Sequence, residues 1–247
     1  LKSYLTDKTV LITGGAKRIG RQIATSLARH GINAVIHYKS SAQEAQALQN
    51  RLHDLGVKSW TIQMDLCSET DLSEFISLVR KRVGKLDFLI NNASIFHTAD
   101  LDKLGFEDLI TNISVNSWAP FSLTRSFVNE FDEGKVINLL DTRIAGYDWD
   151  HVGYYLSKVL LERITKMMAL KYAPEFTVNG VAPGLITPPT GGSQEYLKKR
   201  LGRVPLETHG EKTDVAEAVL FLLQSSFITG QIIYVDGGRN LLHELEG

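Results

Sequence analysis

The sequence predicts a doubly wound α/β fold, a seven-stranded parallel sheet with helices on both faces, and three observations carry that expectation. Seven short runs are rich in β-branched and apolar residues, they are hydrophobic almost throughout rather than at alternate positions, and longer segments with apolar residues at helical spacing separate them. Continuous hydrophobicity marks strands covered on both sides, as in a parallel sheet. Alternation of strand and helix, with right-handed crossovers, then closes the sheet between two helical layers. The expected strands are 9–13, 33–38, 59–65, 86–91, 135–141, 177–181 and 231–235. After the first, Ile23, Leu27 and Ala28 share a helical face, and after the third Leu72, Phe75, Ile76 and Val79 do the same. A further helix after the fifth strand runs to about Tyr172. Ligands of such a fold bind in the crevice beyond the carboxyl ends of the strands. No repeat, charge block or linker divides residues 1–247, so one domain is expected. The irregular stretch at 184–205 carries Pro188, Pro189, Gly191 and Gly192. It reads as a surface connection or as a substrate loop that lids the crevice, and long loops in compact domains favour the lid.

Composition narrows the classes of partner. Lys plus Arg number 27 against 28 for Asp plus Glu, a formal net charge of -1. Such a balance offers no global field for nucleic acid or an anionic membrane, so any anion must be caught locally. Residues 1–8 lack the apolar core of a signal peptide and no run is long enough to cross a bilayer, which together with the single Cys67 leads to a cytoplasmic expectation. Cys67 reads as structural rather than catalytic. The seven histidines show no metal-ligand spacing and no nucleophile elbow is visible.

The first strand runs into Thr13-Gly14-Gly15-Ala16-Lys17-Arg18-Ile19-Gly20 and then a helix. Glycines let the backbone approach a pyrophosphate, and the helix presents free N–H groups and the positive end of its dipole, as in a Rossmann dinucleotide site. Arg18 stands where a middle glycine is usual. Lys17 and Arg18 oppose the helix dipole, which favours an anion-binding role over a merely solvated helix start. An acidic residue at the end of the second strand would select NAD by binding the ribose hydroxyls. Here the strand ends in Tyr38, Lys39, Ser40 and Ser41, a cation and hydroxyls suited to a 2′-phosphate, so NADPH is the expected cofactor.

Tyr154 and Lys158, four residues apart on the helix after the fifth strand, share one face. An ammonium beside a phenol stabilises its anion, so the pair is expected to act as a general acid.

In this order of elements the chain resembles the short-chain dehydrogenase/reductases along its whole length: Thr13 through Gly20, Asp65-Leu66, Asn91-Asn92-Ala93, Asn116, Tyr154 with Lys158, Pro183-Gly184 and Val235-Asp236-Gly237-Gly238. The resemblance implies that Asn116 helps hold a water chain behind the lysine and that Asp65 contacts adenine. It also implies that Asn92-Ala93 lies along the cofactor ribose and that Pro183-Gly184 packs near the nicotinamide. A homo-oligomer follows from the same resemblance, a dimer or a tetramer in which the helices of Asn116 and Tyr154 pair with their copies.

One departure points to the substrate. Where the family carries a serine on the fifth strand, this chain has Asp141. A carboxylate there would repel the developing alkoxide of a reduced ketone, yet it can accept hydrogen bonds from a nitrogen-rich ring or carry a proton when desolvated. Pteridine reductases show the same substitution. They are similar also in the Thr-Gly-x-x-Lys-Arg-x-Gly turn, in His37-Tyr38 followed by Ser41-Ala42 and Glu44-Ala45, in Asn92-Ala93-Ser94-Ile95-Phe96, and in Arg203-Val204-Pro205-Leu206. This resemblance implies reduction of a pterin by hydride transfer to a ring C=N bond, leaving open which pterin is used and whether dihydrofolate is accepted, with Phe96 stacked on the ring opposite the nicotinamide while Ser94 and Arg18 contact ligand. Two alternatives stand beside it: a carbonyl reductase of the 3-oxoacyl or sugar-alcohol type using the same Tyr154 and Lys158, and a non-catalytic dinucleotide sensor, against which Tyr154, Lys158 and Asn116 all count.

Overall fold

The computed structural model describes residues 4–67, 69–188 and 192–242. Pro189 and Gly191 of the expected substrate loop, and residues 1–3, lie outside them.

Seven strands form one sheet in the order β3-β2-β1-β4-β5-β6-β7: β1 (Thr9–Ile12), β2 (Asn33–Tyr38), β3 (Ser59–Gln63), β4 (Phe88–Asn91), β5 (Gly134–Leu139), β6 (Phe176–Pro183) and β7 (Ile232–Val235). Every pairing is parallel, with Leu11 opposite Val35 on one side and Leu89 on the other. All of β1 and β4 is buried, which is why both read as unbroken apolar runs. The helices are α1 (Arg18–Ala28), α2 (Ala42–Asp54), α3 (Glu69–Val83), α4 (Phe106–Ile113), α5 (Ala119–Glu130), α6 (Val152–Tyr172), α7 (Gln194–Lys198), α8 (Lys212–Gln224) and α9 (Arg239–Leu242).

Two hydrophobic cores follow from the two helical layers. Ile23, Leu27, Leu48, Leu52, Val219 and Leu222 from α1, α2 and α8 pack on one side with Val10, Ile12 and Ile36. Phe75, Val79, Leu123, Phe127 and Met168 from α3, α5 and α6 pack on the other with Leu11, Leu89 and Val136. Burial of such side chains stabilises by about 1.5–3 kcal/mol each. The reversal of strand order between β1 and β4 opens the crevice in which α/β folds bind ligands.

Several strand boundaries shift by one or two residues from expectation, and the ends of three strands matter to the crevice. β3 stops at Gln63 and β5 at Leu139, so Asp65 and Asp141 both lie beyond their strands. Asp141 instead caps a short 3-10 turn, Thr142–Ala145, accepting the N–H of Arg143 at 2.9 Å. β6 is longer than expected, because Ala182 and Pro183 still pair with Tyr234 and Val235. Between α4 and α5 the backbone widens into a π turn, Ser114–Trp118, which carries Asn116. Among the described residues no helix is long and apolar enough to cross a membrane, and no cluster of His, Cys, Asp and Glu could hold a metal ion.

Candidate active site

The turn after β1 and the loop after β4 are built against each other. Thr13 Oγ1 accepts the N–H groups of Asn92 and Ala93 at 2.9 and 3.0 Å, and Asn92 Nδ2 donates to the carbonyls of Thr13 and Gly14 at 2.9 and 3.0 Å. No side chain fits between them. A Cβ on Gly20 would lie 2.5 Å from the Gly14 carbonyl, and Gly14, at φ +59°, would place one 2.9 Å from Ala93 Cα. The Gly14 N–H donates to His37 Nδ1 at 3.1 Å, which puts the ring proton on Nε2, where it donates to the Met64 carbonyl at 3.2 Å. Burial holds the His37 pKa down to about 4, so the imidazole is neutral and this acceptor role persists at neutral pH. Sequence reading missed this brace; the available signal was an imidazole inside an otherwise apolar strand.

The cations expected to catch the phosphates, Lys17, Arg18 and Lys39, each have a protein partner. Arg18 occupies the left-handed region at φ +52°, a conformation costing a non-glycine residue about 1 kcal/mol. Its guanidinium donates to the Thr187 hydroxyl and, at 2.7 Å, to the Pro188 carbonyl, tying the turn to the loop after β6. Lys17 pairs with Glu44 and Lys39 with Asp65, both at 2.8 Å and largely exposed. Each partner shifts the other in the Lys39–Asp65 pair, the lysine upward and the carboxyl downward. Ser40 is exposed, and Ser41 caps α2 without a side-chain hydrogen bond, leaving its hydroxyl and the first N–H groups of α2 toward an anion. Ile19 and Tyr38 pack partly against the core. Leu66, expected among the cofactor-binding residues, has its side chain buried in the second core. The glycine cradle, the uncapped helix starts and the cations together fit a dinucleotide phosphate ester.

At the other end of the crevice α6 carries Tyr154 and Lys158, both buried. The Tyr154 hydroxyl donates to Asp141 Oδ2 at 2.8 Å. The expected depression of the phenol pKa by Lys158 is not what the geometry produces. Lys158 Nζ is spent on the Leu139 carbonyl at 2.7 Å and stands 5.7 Å from the Tyr154 ring centroid. Burial, then the charge of Asp141, push the phenol well above its ordinary value against the opposing pull of Arg143. Burial also lowers Lys158 to about 8. Tyr154 is thus a protonated donor throughout the neutral range.

Sequence reading also missed what holds Asp141. Arg143 Nε pairs with Asp148 at 2.8 Å and its Nη1 lies 3.5 Å from Asp141 Oδ2. Asp148 in turn accepts from His151 Nδ1 at 3.1 Å, and His151 stacks on Phe96 at 4.0 Å with an interplanar angle of 17°. Phe96 meets the edge of Tyr154 at 4.7 Å and the Arg143 guanidinium at 4.9 Å. The phenylalanine therefore stands at the site, half-buried, with one face already covered by His151.

Asn116 does not reach Lys158 directly. Its Oδ1 accepts from Ser94 Oγ at 3.0 Å and from the Ile95 N–H at 2.9 Å, while Nδ2 donates to the Ile95 carbonyl at 3.1 Å and to Ser157 Oγ at 3.0 Å. It staples the loop after β4 to α6, and the Ser94 hydroxyl is used within that staple. Pro183 ends β6 and Gly184 follows so close to β7 that a Cβ there would lie 2.5 Å from Asp236 Cβ. Beyond it Leu185, Leu197 and Val204 form a small core with Tyr196 and Leu201, so the stretch expected as a lid has packing of its own.

Residues 14–240 match the family model described as enoyl-(acyl carrier protein) reductase, of the short-chain alcohol dehydrogenase type. The 3-oxoacyl-[acyl-carrier-protein] reductase FabG of Staphylococcus epidermidis is 32% identical over 240 residues, 94% of this chain and 98% of that protein. Two solved structures, FolM alternative dihydrofolate reductase 1 from Brucella canis and from Brucella suis, superpose with TM-scores of 0.89 and 0.90 at 31% identity. The first covers 97% of this chain and 96% of its own, the second 95% of each. Both neighbours were solved with NADP, the cofactor class that Lys39, Ser40 and Ser41 led the sequence to expect. With the match running through the glycine turn, the Tyr154/Lys158 helix and the β7 exit, the chain belongs to the short-chain dehydrogenase/reductase family of oxidoreductases.

Proposed function

We propose that the protein is an NADPH-dependent pterin reductase acting on a ring C=N bond of a dihydropterin or related pterin, dihydrofolate included. The observation that carries this reading is the 2.8 Å hydrogen bond from Tyr154 to Asp141, with Asp141 held by Arg143. A carboxylate touching the proton donor opposes the alkoxide that develops when hydride adds to a ketone, whereas a basic ring nitrogen that takes its proton before or with the hydride is reduced as an iminium and builds up no such anion. The FolM neighbours favour the same reading. The FabG relative favours the second reading, reduction of a 3-oxoacyl carbonyl, and Asp141 is the residue that separates the two.

Bound NADPH supplies the hydride. Gly14, Lys17, Arg18, Ile19 and Gly20 hold its pyrophosphate, Tyr38, Lys39, Ser40 and Ser41 its 2′-phosphate, and Asp65 with the Leu66 backbone its adenine. Asn92, Ala93 and Ser94 line the ribose, with Lys158 and Tyr154 near the nicotinamide ribose, and Pro183 and Gly184 back the nicotinamide. Phe96, which carries His151 stacked on its ring and the Arg143 guanidinium over it, is the aromatic that stacks on the pterin, the ligand taking the place of the guanidinium. Tyr154 Oη passes its proton to the ring nitrogen, and Asp141, partly open to solvent at 18% side-chain exposure, relays a proton from water back to the resulting phenolate. Asn116 keeps the Ser94 loop and α6 in register. A homo-oligomer remains part of the proposal, supported by Trp118, Leu156, Leu160 and Met167, which α6 and its neighbours leave exposed.

A panel of oxidised and dihydro pterins, dihydrofolate, 3-oxoacyl thioesters and simple ketones, followed by NADPH consumption, tests the function. Pterin turnover without ketone turnover supports it; brisk ketone reduction with no pterin turnover overturns it in favour of the second reading. On the cofactor side, Lys39→Asp is expected to lower kcat/KM for NADPH by about 10-fold or more and to narrow its preference over NADH, since a carboxylate there repels the 2′-phosphate. An unaltered NADPH/NADH ratio would remove Lys39 from the phosphate site. In the pH profile of kcat/KM for NADPH, activity is expected to fall on the alkaline side with an apparent pKa near 8, as Lys158, lowered to about 8, loses its proton. A flat profile to pH 10 would show that the Lys158 charge plays no part.

A further inference from the structure

Arg239 is a cation that the proposed chemistry leaves unused. Three contacts fix where it stands, at the start of α9. Asp236 accepts the Thr142 hydroxyl and the N–H groups of Gly238 and Asn240 at 2.9 and 2.8 Å, which locks α9 to the turn carrying Arg143 and fills the Asp236 oxygens. On the far side a Cβ on Gly237 would lie 2.6 Å from Val204 Cγ1, and one on Gly238 would lie 3.2 Å from Pro205, so the end of the loop after β6 is pressed against the same exit. The start of α9 therefore stands between the turn that carries Arg143 and the loop end at Val204 and Pro205, and the charged and titratable groups that bear on Arg239 are Arg143, Asp141, Tyr196 and Arg203.

Asp141 attracts its charge without touching it. Among the described residues no hydrogen bond or ion pair holds the half-buried Arg239 guanidinium. Arg143 is committed to Asp141 and Asp148, and Asp141 also receives Tyr154. Burial, followed by repulsion from Arg143, lowers the Arg239 pKa from its usual value. A partly desolvated cation between like charges is costly until an anion joins it. We infer that Arg239, with Arg203 at the outer edge, binds an anionic group, a carboxylate or a phosphate, at the end of the substrate remote from the reacting ring. The planar guanidinium fork matches either anion with two parallel hydrogen bonds. This inference rests on the pterin reading and adds the substrate's tail to it.

The test compares KM for three substrates of the native enzyme at saturating NADPH: a dihydropterin with a neutral side chain, one with a phosphorylated side chain, and dihydrofolate with its carboxylate tail. At least one anionic substrate is expected to show KM lower than the neutral one by about 10-fold or more, and which one identifies the source of the anion. The advantage should shrink in 0.5 M salt. Arg239→Gln is expected to bring the KM ratio close to one and Arg239→Lys to keep part of it, with NADPH titration and thermal melting confirming the fold. Should Arg239→Gln not fold, Arg203→Gln must reduce the same ratio. Equal KM values for all three in the native enzyme, or a ratio that survives these substitutions, overturns the inference and leaves pterin reduction standing. No turnover of any pterin overturns both.

Discussion

Tyr154→Phe is expected to lower kcat for pterin reduction by about 100-fold or more, within the range of general acid catalysis, while NADPH binds within about 2-fold of native. The substitution removes one hydroxyl and almost no volume from a buried ring that meets Phe96 edge-on at 4.7 Å, so the packing of α6 is kept. What is lost is the hydroxyl proton that donates to Asp141 at 2.8 Å. Asp141 retains the Arg143 N–H and guanidinium, so the variant leaves no orphaned carboxylate to unfold it. Single-turnover absorbance at the NADPH band reads the rate, and fluorescence titration reads binding. Native kcat in Tyr154→Phe would assign the proton to another group, with Asp141 itself as the next candidate. The phenol also makes a negative prediction. Because burial and Asp141 hold it well above its usual pKa, any alkaline limb near pH 8 must survive in weakened form in Tyr154→Phe if Lys158 is its source.

The parts of this molecule that were legible in the sequence are those governed by local chain physics. β1 and β4 are buried on both faces, and an apolar run says so directly. The glycine turn is legible because Gly14 and Gly20 stand where any side chain would strike backbone. Tyr154 and Lys158 are legible because helical spacing alone puts both on one face of α6. Contacts between distant elements were not legible. Nothing in a string of letters shows that Arg143 bridges Asp141 and Asp148, that His151 covers Phe96, or that Arg18 reaches across to Thr187 and Pro188. The pKa of Tyr154 went against expectation for the same reason. A local rule pairs the phenol with the ammonium four residues away, whereas the Lys158 proton is held by Leu139 across the helix–sheet contact and the phenol faces Asp141. Strand ends erred by two residues at β3 and β5, where backbone pairing stops before the apolar run does, and both errors fell on site aspartates, Asp65 and Asp141.

Asp141→Ser tests the substrate assignment most sharply, because it installs the side chain of ordinary carbonyl reductases at the residue that distinguishes this chain. Pterin kcat/KM is expected to fall by about 100-fold, as the ring loses its carboxylate acceptor and Tyr154 the group that relays solvent protons to it. Ketone reduction should rise from its native level, because the charge opposing an alkoxide is gone and a hydroxyl can donate to the carbonyl instead. The phenol pKa should fall as well, since Asp141 is the second-largest influence raising it, after burial. Removing one carboxylate also frees Arg143, which retains Asp148 at 2.8 Å and so is not left as an unpaired buried cation. The loss of stability is accordingly expected to stay near 1 kcal/mol, the scale of a lost turn cap, and thermal melting checks that the catalytic effect does not come from unfolding. Opposite changes in the two activities are the decisive signature, for a general defect would lower both. Native pterin turnover in Asp141→Ser would show that the carboxylate serves Arg143 and the turn alone, and would remove Asp141 as the ground for preferring a pterin to a 3-oxoacyl substrate.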